Sequence, residues 1–236
     1  MTAPCCSVKI EAMNDEQTAA GEARAAKHAA LADVVRLHIV DLLGDGDLSP
    51  GELRTTLGIS SNLLAHHLNV LEAAGLVARS RSEADRRRSY VRLLPDPTVT
   101  RAPTVSAAER VVFVCTANSA RSQLAAALWQ QASSIPVASA GTHPASAVAA
   151  GAIATARRHR LAFTPATPSA LTAAALDPRD LVITVCDSAH EELAGADQLH
   201  WSIPDPVPSG SDEAFDAAFE DLAHRVDDLA HRLQSA

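Results

Sequence analysis

Cys115, Arg121 and Ser122 have the residue types and the spacing for nucleophilic chemistry on a tetrahedral oxyanion. The cysteine ends an apolar run, residues 111–114, and a helical pattern begins at Gln123, so a strand-to-helix loop lies between them. Backbone N–H groups at a helix N-terminus point at a bound anion, and the helix dipole favours both the anion and a reactive thiolate there. We therefore predict an oxyanion-binding loop made by Thr116, Ala117, Asn118, Ser119, Ala120 and Arg121.

The two polar residues at the end of this loop have distinct predicted roles. Arg121 carries a planar fork that can hold two anion oxygens, which lysine cannot do. Ser122 can donate a hydrogen bond to the sulfur of Cys115 when that sulfur leaves. The alternative is that Cys115 is a small buried hydrophobe, as most strand-ending cysteines are. The strand–loop–helix context favours the catalytic interpretation.

The bulk properties limit the class of protein. The 236 residues carry a formal net charge of −8, which is uneven: residues 24–98 have 10 basic and 9 acidic side chains, and residues 99–236 have 9 and 15. The acidic excess argues against non-specific nucleic-acid binding by the second half. The sequence shows neither a bilayer-spanning apolar run nor a signal peptide, which predicts a cytoplasmic protein with no membrane partner. In that compartment, the four cysteines are expected to be catalytic, redox-active or metal-binding.

A segment rich in proline and threonine divides the chain. Residues 95–106 contain three prolines and little periodicity, which is typical of an extended linker. We predict a flexible N-terminal tail over 1–22, a first domain over 23–95, a linker over 96–108 and a second domain over 109–236.

The first domain has the pattern of a winged helix-turn-helix, mainly α with a β-hairpin wing. Ser49-Pro50 begins a short helix, another helix follows Ser60, and two strands then flank a charged turn with three consecutive arginines. We predict that the helix after Ser60 enters the DNA major groove and that the turn contacts phosphates. The predicted DNA-binding residues are Ser61, Asn62, Ala65, His66, Asn69, Arg86, Arg87 and Arg88. His66 and His67 point about 100° apart on a helix, so they are poor ligands for one shared metal ion.

Both halves resemble known families. The segments ALADVVRL at 30–37 and AHHLNVLEAAGLV at 65–77 resemble the ArsR/SmtB family of winged-helix repressors. The segment FVCTANSARSQLA at 113–125 resembles the phosphate-binding loop of the low-molecular-weight protein tyrosine phosphatase superfamily, and its NSARSQ ending is similar to the arsenate reductase branch. SAGT at 139–142 and WSIPDP at 201–206 fit the same superfamily. The resemblance implies an α/β three-layer second domain with a four-stranded parallel sheet.

The resemblance to arsenate reductases implies a reaction and its partners. Arsenate or phosphate docks in the loop, Cys115 attacks, and Asp205 of the Asp-Pro loop protonates the departing oxygen. In thioredoxin-coupled relatives a cysteine at the position of Cys186 attacks the first cysteine, so Cys186 is either this resolving thiol or an inert core residue. No bound cofactor is expected. The implied external reductant is a low-molecular-weight thiol with a glutaredoxin-like partner, or thioredoxin.

The resemblance to ArsR-type repressors implies a homodimer on a double-stranded DNA operator. Because trivalent arsenic prefers soft thiolates, Cys5 and Cys6 are candidate arsenite ligands, with an unselected tail as the alternative.

Three functions stay open on the sequence. The leading one is an arsenic-linked transcriptional regulator fused to a thiol-dependent arsenate reductase. The others are a low-molecular-weight phosphatase fused to a DNA-binding domain, and a catalytically silent, oxyanion-sensing repressor.

Overall fold

The computed structural model describes residues 15–97, 99, 108–172 and 176–234. The chain forms two domains, a winged helix-turn-helix and an α/β domain, as the sequence predicts. The first domain consists of α1 (Asp15–Leu31), α2 (Val34–Leu42), α3 (Pro50–Leu57) and α4 (Ser61–Ala73), followed by the antiparallel hairpin of β1 (Val77–Arg81) and β2 (Ser89–Leu93).

Local sequence signals set the helix-turn-helix. The Ser49 hydroxyl accepts from the N–H of Glu52, whose carboxylate accepts from the N–H of Ser49, so a capping box starts α3. Gly58 ends α3 in the left-handed conformation at φ 63°, and the Ser60 hydroxyl caps α4. The helices and the hairpin close over one apolar core, whose buried members include Ile39, Leu53, Leu64, Leu68, Leu71 and Val91.

The first helix begins earlier than the sequence predicts. α1 starts at Asp15, so residues 15–22 belong to a helix, whereas we expected a tail up to residue 22. Polar and alanine residues dominate this segment, so no apolar periodicity marks it in the sequence. Cys5, Cys6 and most of the expected linker (residues 98 and 100–107) lie outside the described residues.

The second domain is built on a four-stranded parallel sheet, as the family resemblance predicts. Its elements are β3 (Arg110–Cys115), α5 (Arg121–Ala132), β4 (Val137–Gly141), α6 (Ala150–Arg158), β5 (Asp180–Thr184), α7 (Asp187–Leu193), β6 (Leu199–His200) and α8 (Asp212–Gln234). The strand order is β4-β3-β5-β6, with Val112 opposite Ala138 on one side and Val182 on the other. α5 packs against β3, β4 and α8, and its Trp129 is fully buried.

The strand order reverses at β3, and this reversal locates the site. β4 pairs with one edge of β3 and β5 pairs with the other. After β3 the chain crosses to β4 on one side, and after β4 it returns to β5 on the opposite side of β3. A crevice forms at such a switch point in open parallel sheets. Cys115 is the last residue of β3 and therefore lies at this crevice.

The residues before α6 bond to the loop between β3 and α5. The N–H of Ala145 donates to the carbonyl of Ala117, and the N–H of Ala149 donates to the carbonyl of Ser119, both at 2.9 Å. These residues therefore support that loop, and the helix begins only at Ala150.

The two domains share a polar interface at the β6 end of the sheet. Trp201 Nε1 donates to the carbonyl of Asp45 at 2.9 Å, and the N–H of Asp47 donates to the carbonyl of His200 at 2.7 Å. The buried Asp47 carboxylate also pairs with Arg225 of α8 at 3.0 Å. Because these bonds involve main-chain atoms of both domains, they set how the domains dock.

None of the helices among the described residues has both the length and the apolar character needed to cross a bilayer.

Candidate active site

The sulfur of Cys115 lies at the base of the loop between β3 and α5. The residue is 2% exposed; the N–H of Asn118 donates to its Sγ at 3.2 Å, and its Sγ lies 3.1 Å from Ser122 Oγ. An amide donor and a hydroxyl group therefore lie against this sulfur. Five of the predicted loop residues line a cleft with this sulfur: Thr116, Ala117, Ser119, Ala120 and Arg121.

The remaining loop residue, Asn118, ties the loop to its surroundings. Its φ of 48° is left-handed, a conformation that Asn adopts more readily than most residues. Its buried Nδ2 donates to Ser122 Oγ at 2.9 Å and to Ser139 Oγ at 3.0 Å, and its Oδ1 accepts from the N–H of Ser169 at 3.0 Å. Asn118 thus joins α5, β4 and the segment at residue 169.

Two further residues hold the loop, and neither was predicted from the sequence as a site residue. Gln123 Nε2 donates to the carbonyls of Asn118 and Ala166, each at 2.8 Å. Gly141 ends β4 so close to the loop that a Cβ there would lie 2.6 Å from the carbonyl oxygen of Thr116. A glycine at a strand end is the available signal for such a close backbone approach.

Arg121 and Asp205 meet in the same cleft. Nη1 of Arg121 donates to the carbonyl of Ile203 at 2.8 Å, and Nη2 lies 3.1 Å from Asp205 Oδ2. The Arg121 side chain is 8% exposed, whereas that of Asp205 is 34% exposed. The structure therefore brings Cys115, Arg121 and Asp205 together in one cleft of about 800 Å³, from segments that are far apart in the sequence.

Cys186 follows β5 and lines this cleft too. Its Sγ accepts from the N–H of Ala189 and contacts Thr116 Oγ1, each at 3.4 Å. Burial raises the pKa of the Cys186 thiol, and the positive charge of Arg121 opposes the shift. The described lining of the cleft thus contains two thiols, and it contains no aromatic side chain.

The wing of the first domain closes one side of the cleft, and this contact was not predicted from the sequence. Arg81, Ser82, Glu83 and Arg86 line it together with Cys115. No pattern in the sequence links the wing to the second domain, because their proximity depends on how the domains dock.

The residues predicted to bind DNA are exposed. Ser61, Asn62, Ala65, His66 and Asn69 share the solvent side of α4, opposite the leucines that enter the core. Arg86, Arg87 and Arg88 are exposed at the tip between β1 and β2. Arg87 pairs with Asp85 at 2.9 Å, and Asn69 Oδ1 accepts from Arg79 at 2.6 Å. His67 is buried and lies against Asp33.

His190, Asp197 and His200 form a cluster of potential metal ligands beside the interface. The two imidazole rings are stacked at 4.1 Å with 10° between their planes, so their in-plane lone pairs cannot converge on one ion. His190 Nδ1 donates to Asp197 at 2.7 Å, and Nε2 lies 3.4 Å from Glu52 of the first domain. Burial lowers the pKa of His190, but these carboxylates outweigh it and raise the pKa to about 9. The cluster is therefore a charged interdomain contact.

Comparison with known proteins agrees with this architecture. Residues 110–236 match the family described as Low molecular weight phosphotyrosine protein phosphatase, and residues 31–80 match the family described as Helix-turn-helix domain. The fold thus joins a helix-turn-helix domain to a phosphatase-type α/β domain. Because the first match covers more than half of the chain, the chain belongs to the low-molecular-weight phosphotyrosine protein phosphatase family.

Individual relatives match one domain each. The transcriptional repressor SdpR of Bacillus subtilis (strain 168) is 36% identical over 52 residues, which are 22% of this chain and 58% of that repressor. The tyrosine phosphatase Wzb from Escherichia coli K30, solved in complex with sulphate, is 25% identical over 53% of this chain and 98% of its own, with a TM-score of 0.49. The YwlE arginine phosphatase from Geobacillus stearothermophilus is 26% identical over 54% of this chain and 94% of its own, with a TM-score of 0.46.

Proposed function

We propose that this chain is an arsenic-linked transcriptional regulator fused to a thiol-dependent arsenate reductase. The observation that best supports this function is that the thiols of Cys115 and Cys186 line one cleft with Arg121. Reduction of arsenate to arsenite needs two electrons, which two thiols supply when they form a disulfide. Hydrolysis of a phosphoester needs only the first thiol. The absence of aromatic side chains from the described lining also favours a small oxyanion over a phosphotyrosine ring.

In the first proposed step, the Cys115 thiolate attacks the arsenic of bound arsenate, and an S–As bond forms. Arg121 and the loop amides hold the arsenate oxygens and offset the charge that develops on them. Asp205, which lies 3.1 Å from Arg121, donates a proton to the departing oxygen, and this oxygen leaves as water.

In the second proposed step, the sulfur of Cys186 attacks the sulfur of Cys115. An S–S bond forms and the S–As bond breaks, its electron pair stays on arsenic, and arsenite is released. Burial raises the pKa of the Cys186 thiol, and the proton of this thiol passes to an oxygen of the departing arsenite. Thioredoxin, or a low-molecular-weight thiol with a glutaredoxin-like partner, then reduces the disulfide.

The first domain would bind a double-stranded operator as a homodimer, with α4 in the major groove and the wing arginines on phosphates. Cys5 and Cys6 are the proposed thiolate ligands for arsenite, the product of the second domain.

A phosphomonoesterase is the second candidate function. Cys115, Arg121 and Asp205 suffice for a cysteinyl-phosphate intermediate and its protonated leaving group, and Cys186 would then have no chemical role.

Purified full-length chain should be assayed for arsenite formation with each thiol system, and for hydrolysis of p-nitrophenyl phosphate. We expect thiol-dependent arsenite formation that is lost in Cys115→Ser and in Cys186→Ser. The Cys5→Ser/Cys6→Ser double variant is the matched control and should keep its activity. Thiol-independent ester hydrolysis that survives Cys186→Ser, without arsenite formation, would establish the phosphatase instead. Absence of both activities would leave the oxyanion-sensing repressor.

A further inference from the structure

The tip of the wing is docked on the second domain through main-chain hydrogen bonds. The N–H of Glu83 donates to Asp187 Oδ2 at 2.8 Å, and the N–H of Asp85 donates to Glu191 Oε2 at 3.2 Å. The Ser82 hydroxyl donates to the other oxygen of Glu191 at 2.6 Å. Asp187 directly follows Cys186, so the wing is fastened beside the second thiol of the cleft.

The side chain of Glu83 reaches the catalytic groups themselves. Its Oε2 accepts from the N–H of Asp205 at 2.8 Å and lies 3.8 Å from Arg121 Nη1. One residue of the DNA-binding domain therefore contacts both the general-acid loop and the guanidinium of the oxyanion site. The Glu83 side chain is 47% exposed, so it can leave this position without crossing a packed core.

A bound oxyanion and the Glu83 carboxylate would compete for the same positive charge in this cleft. Both are negatively charged, and both draw on the guanidinium of Arg121, whose Nη1 is already committed to the carbonyl of Ile203. Two negative charges that lie close to the same guanidinium repel each other, most strongly where the surroundings exclude water. Occupancy of the loop by a dianion should therefore expel Glu83.

We propose that Glu83 is an anionic gate, so that docking of the wing and binding of a tetrahedral oxyanion oppose each other. The inference rests on the proposed function only in taking the loop at 116–121 as an oxyanion site, and it requires no reduction chemistry. The displaced wing tip carries Arg86, Arg87 and Arg88, which we expect to contact DNA phosphates. Oxyanion binding in the cleft should therefore change the position of the surface that we expect to contact DNA. By thermodynamic linkage, DNA binding should in turn change the affinity of the cleft for the oxyanion.

Binding of inorganic phosphate to the full-length chain tests the gate without catalytic turnover. Glu83→Gln keeps an oxygen that can accept from Asp205 but removes the charge, so calorimetry should show phosphate binding about five-fold tighter than in the unsubstituted chain. The gain should shrink as salt is added, because the opposed charge is partly exposed. Glu213→Gln removes an exposed carboxylate at the start of α8, which does not line the cleft, and should leave the affinity unchanged.

Hydrogen exchange supplies the second measurement on the same samples. Saturating phosphate should speed exchange at the amides of Glu83 and Asp85, which are bonded to the second domain. Unchanged exchange at these amides with phosphate bound, or an unchanged affinity in Glu83→Gln, would overturn the gate, as would failure of both chains to bind phosphate. A gate that responds to phosphate in a chain that makes no arsenite would refute the reductase alone.

Discussion

Replacing Asn118 by alanine should release the oxyanion loop from its supports. The buried side chain makes three hydrogen bonds, with Ser122, Ser139 and the N–H of Ser169. A neutral hydrogen bond contributes about 1 kcal/mol net, so their loss should cost about 3 kcal/mol. Alanine at the φ of 48° adds about 1 kcal/mol of backbone strain. The sum, about 4 kcal/mol, is a large part of the roughly 5–15 kcal/mol that stabilises a typical domain.

Urea unfolding followed by tryptophan fluorescence measures this loss of stability in the second domain, which contains Asn118. Both tryptophans of the chain, Trp129 and Trp201, are buried in the second domain, so their emission reports on it. The N–H of Asn118 also holds the Cys115 sulfur at 3.2 Å, so turnover should fall as well. If the reactive sulfur is displaced by about 1 Å, the rate of turnover should fall by about 100-fold.

The glycine variant separates the two contributions. Asn118→Gly loses the same hydrogen bonds but adopts a positive φ without strain, so it should be less destabilised than Asn118→Ala. The free energy of unfolding of Asn118→Ala could instead lie within about 1 kcal/mol of that of the unsubstituted chain, with turnover unchanged. In that case the loop is not held by this side chain and our reasoning is wrong.

Three further changes test other parts of the structure. Gly141→Ala places a Cβ 2.6 Å from the backbone oxygen of Thr116, which cannot yield, so calorimetry should show loss of phosphate binding. His190 has its pKa raised from 6.5 to about 9 in the folded chain, so its contribution to stability is full below pH 6.5 and is lost as the pH rises through about 9. The free energy of unfolding should therefore fall across this window, and His190→Gln should abolish that part of the fall. Arg88→Ala should weaken binding to double-stranded DNA and lower the salt slope by about one.

Two of these variants, Gly141→Ala and Arg88→Ala, have matched controls. Gly21→Ala adds a methyl group on α1 where nothing lies within 4 Å, and it should leave phosphate binding intact. Arg157→Ala removes an exposed arginine from the second domain and should leave DNA affinity unchanged. For His190→Gln, an unfolding free energy that still falls between pH 6.5 and 9 would show that another group titrates there.

Much of the structure around Cys115 was predictable because its signals are local. The apolar run before Cys115, the spacing to Arg121 and the helical pattern that follows act through neighbouring residues, and the structure places them on one strand, one loop and one helix. The capping box at Ser49 likewise acts within one turn of helix. The start of α1 was missed because its residues carry no apolar period.

The sequence alone therefore determined which residues could carry the chemistry, since strand, loop and helix propensities depend on adjacent side chains. Only the tertiary structure decided what shares the cleft with them. Glu83 is 38 positions before Arg121 in the chain, and it reaches that guanidinium because Asp47, Trp201 and Arg225 fasten the two domains in one orientation. The orientation of the two domains depends on many weak polar contacts between segments that are far apart in the sequence. Short-range sequence patterns do not predict such contacts.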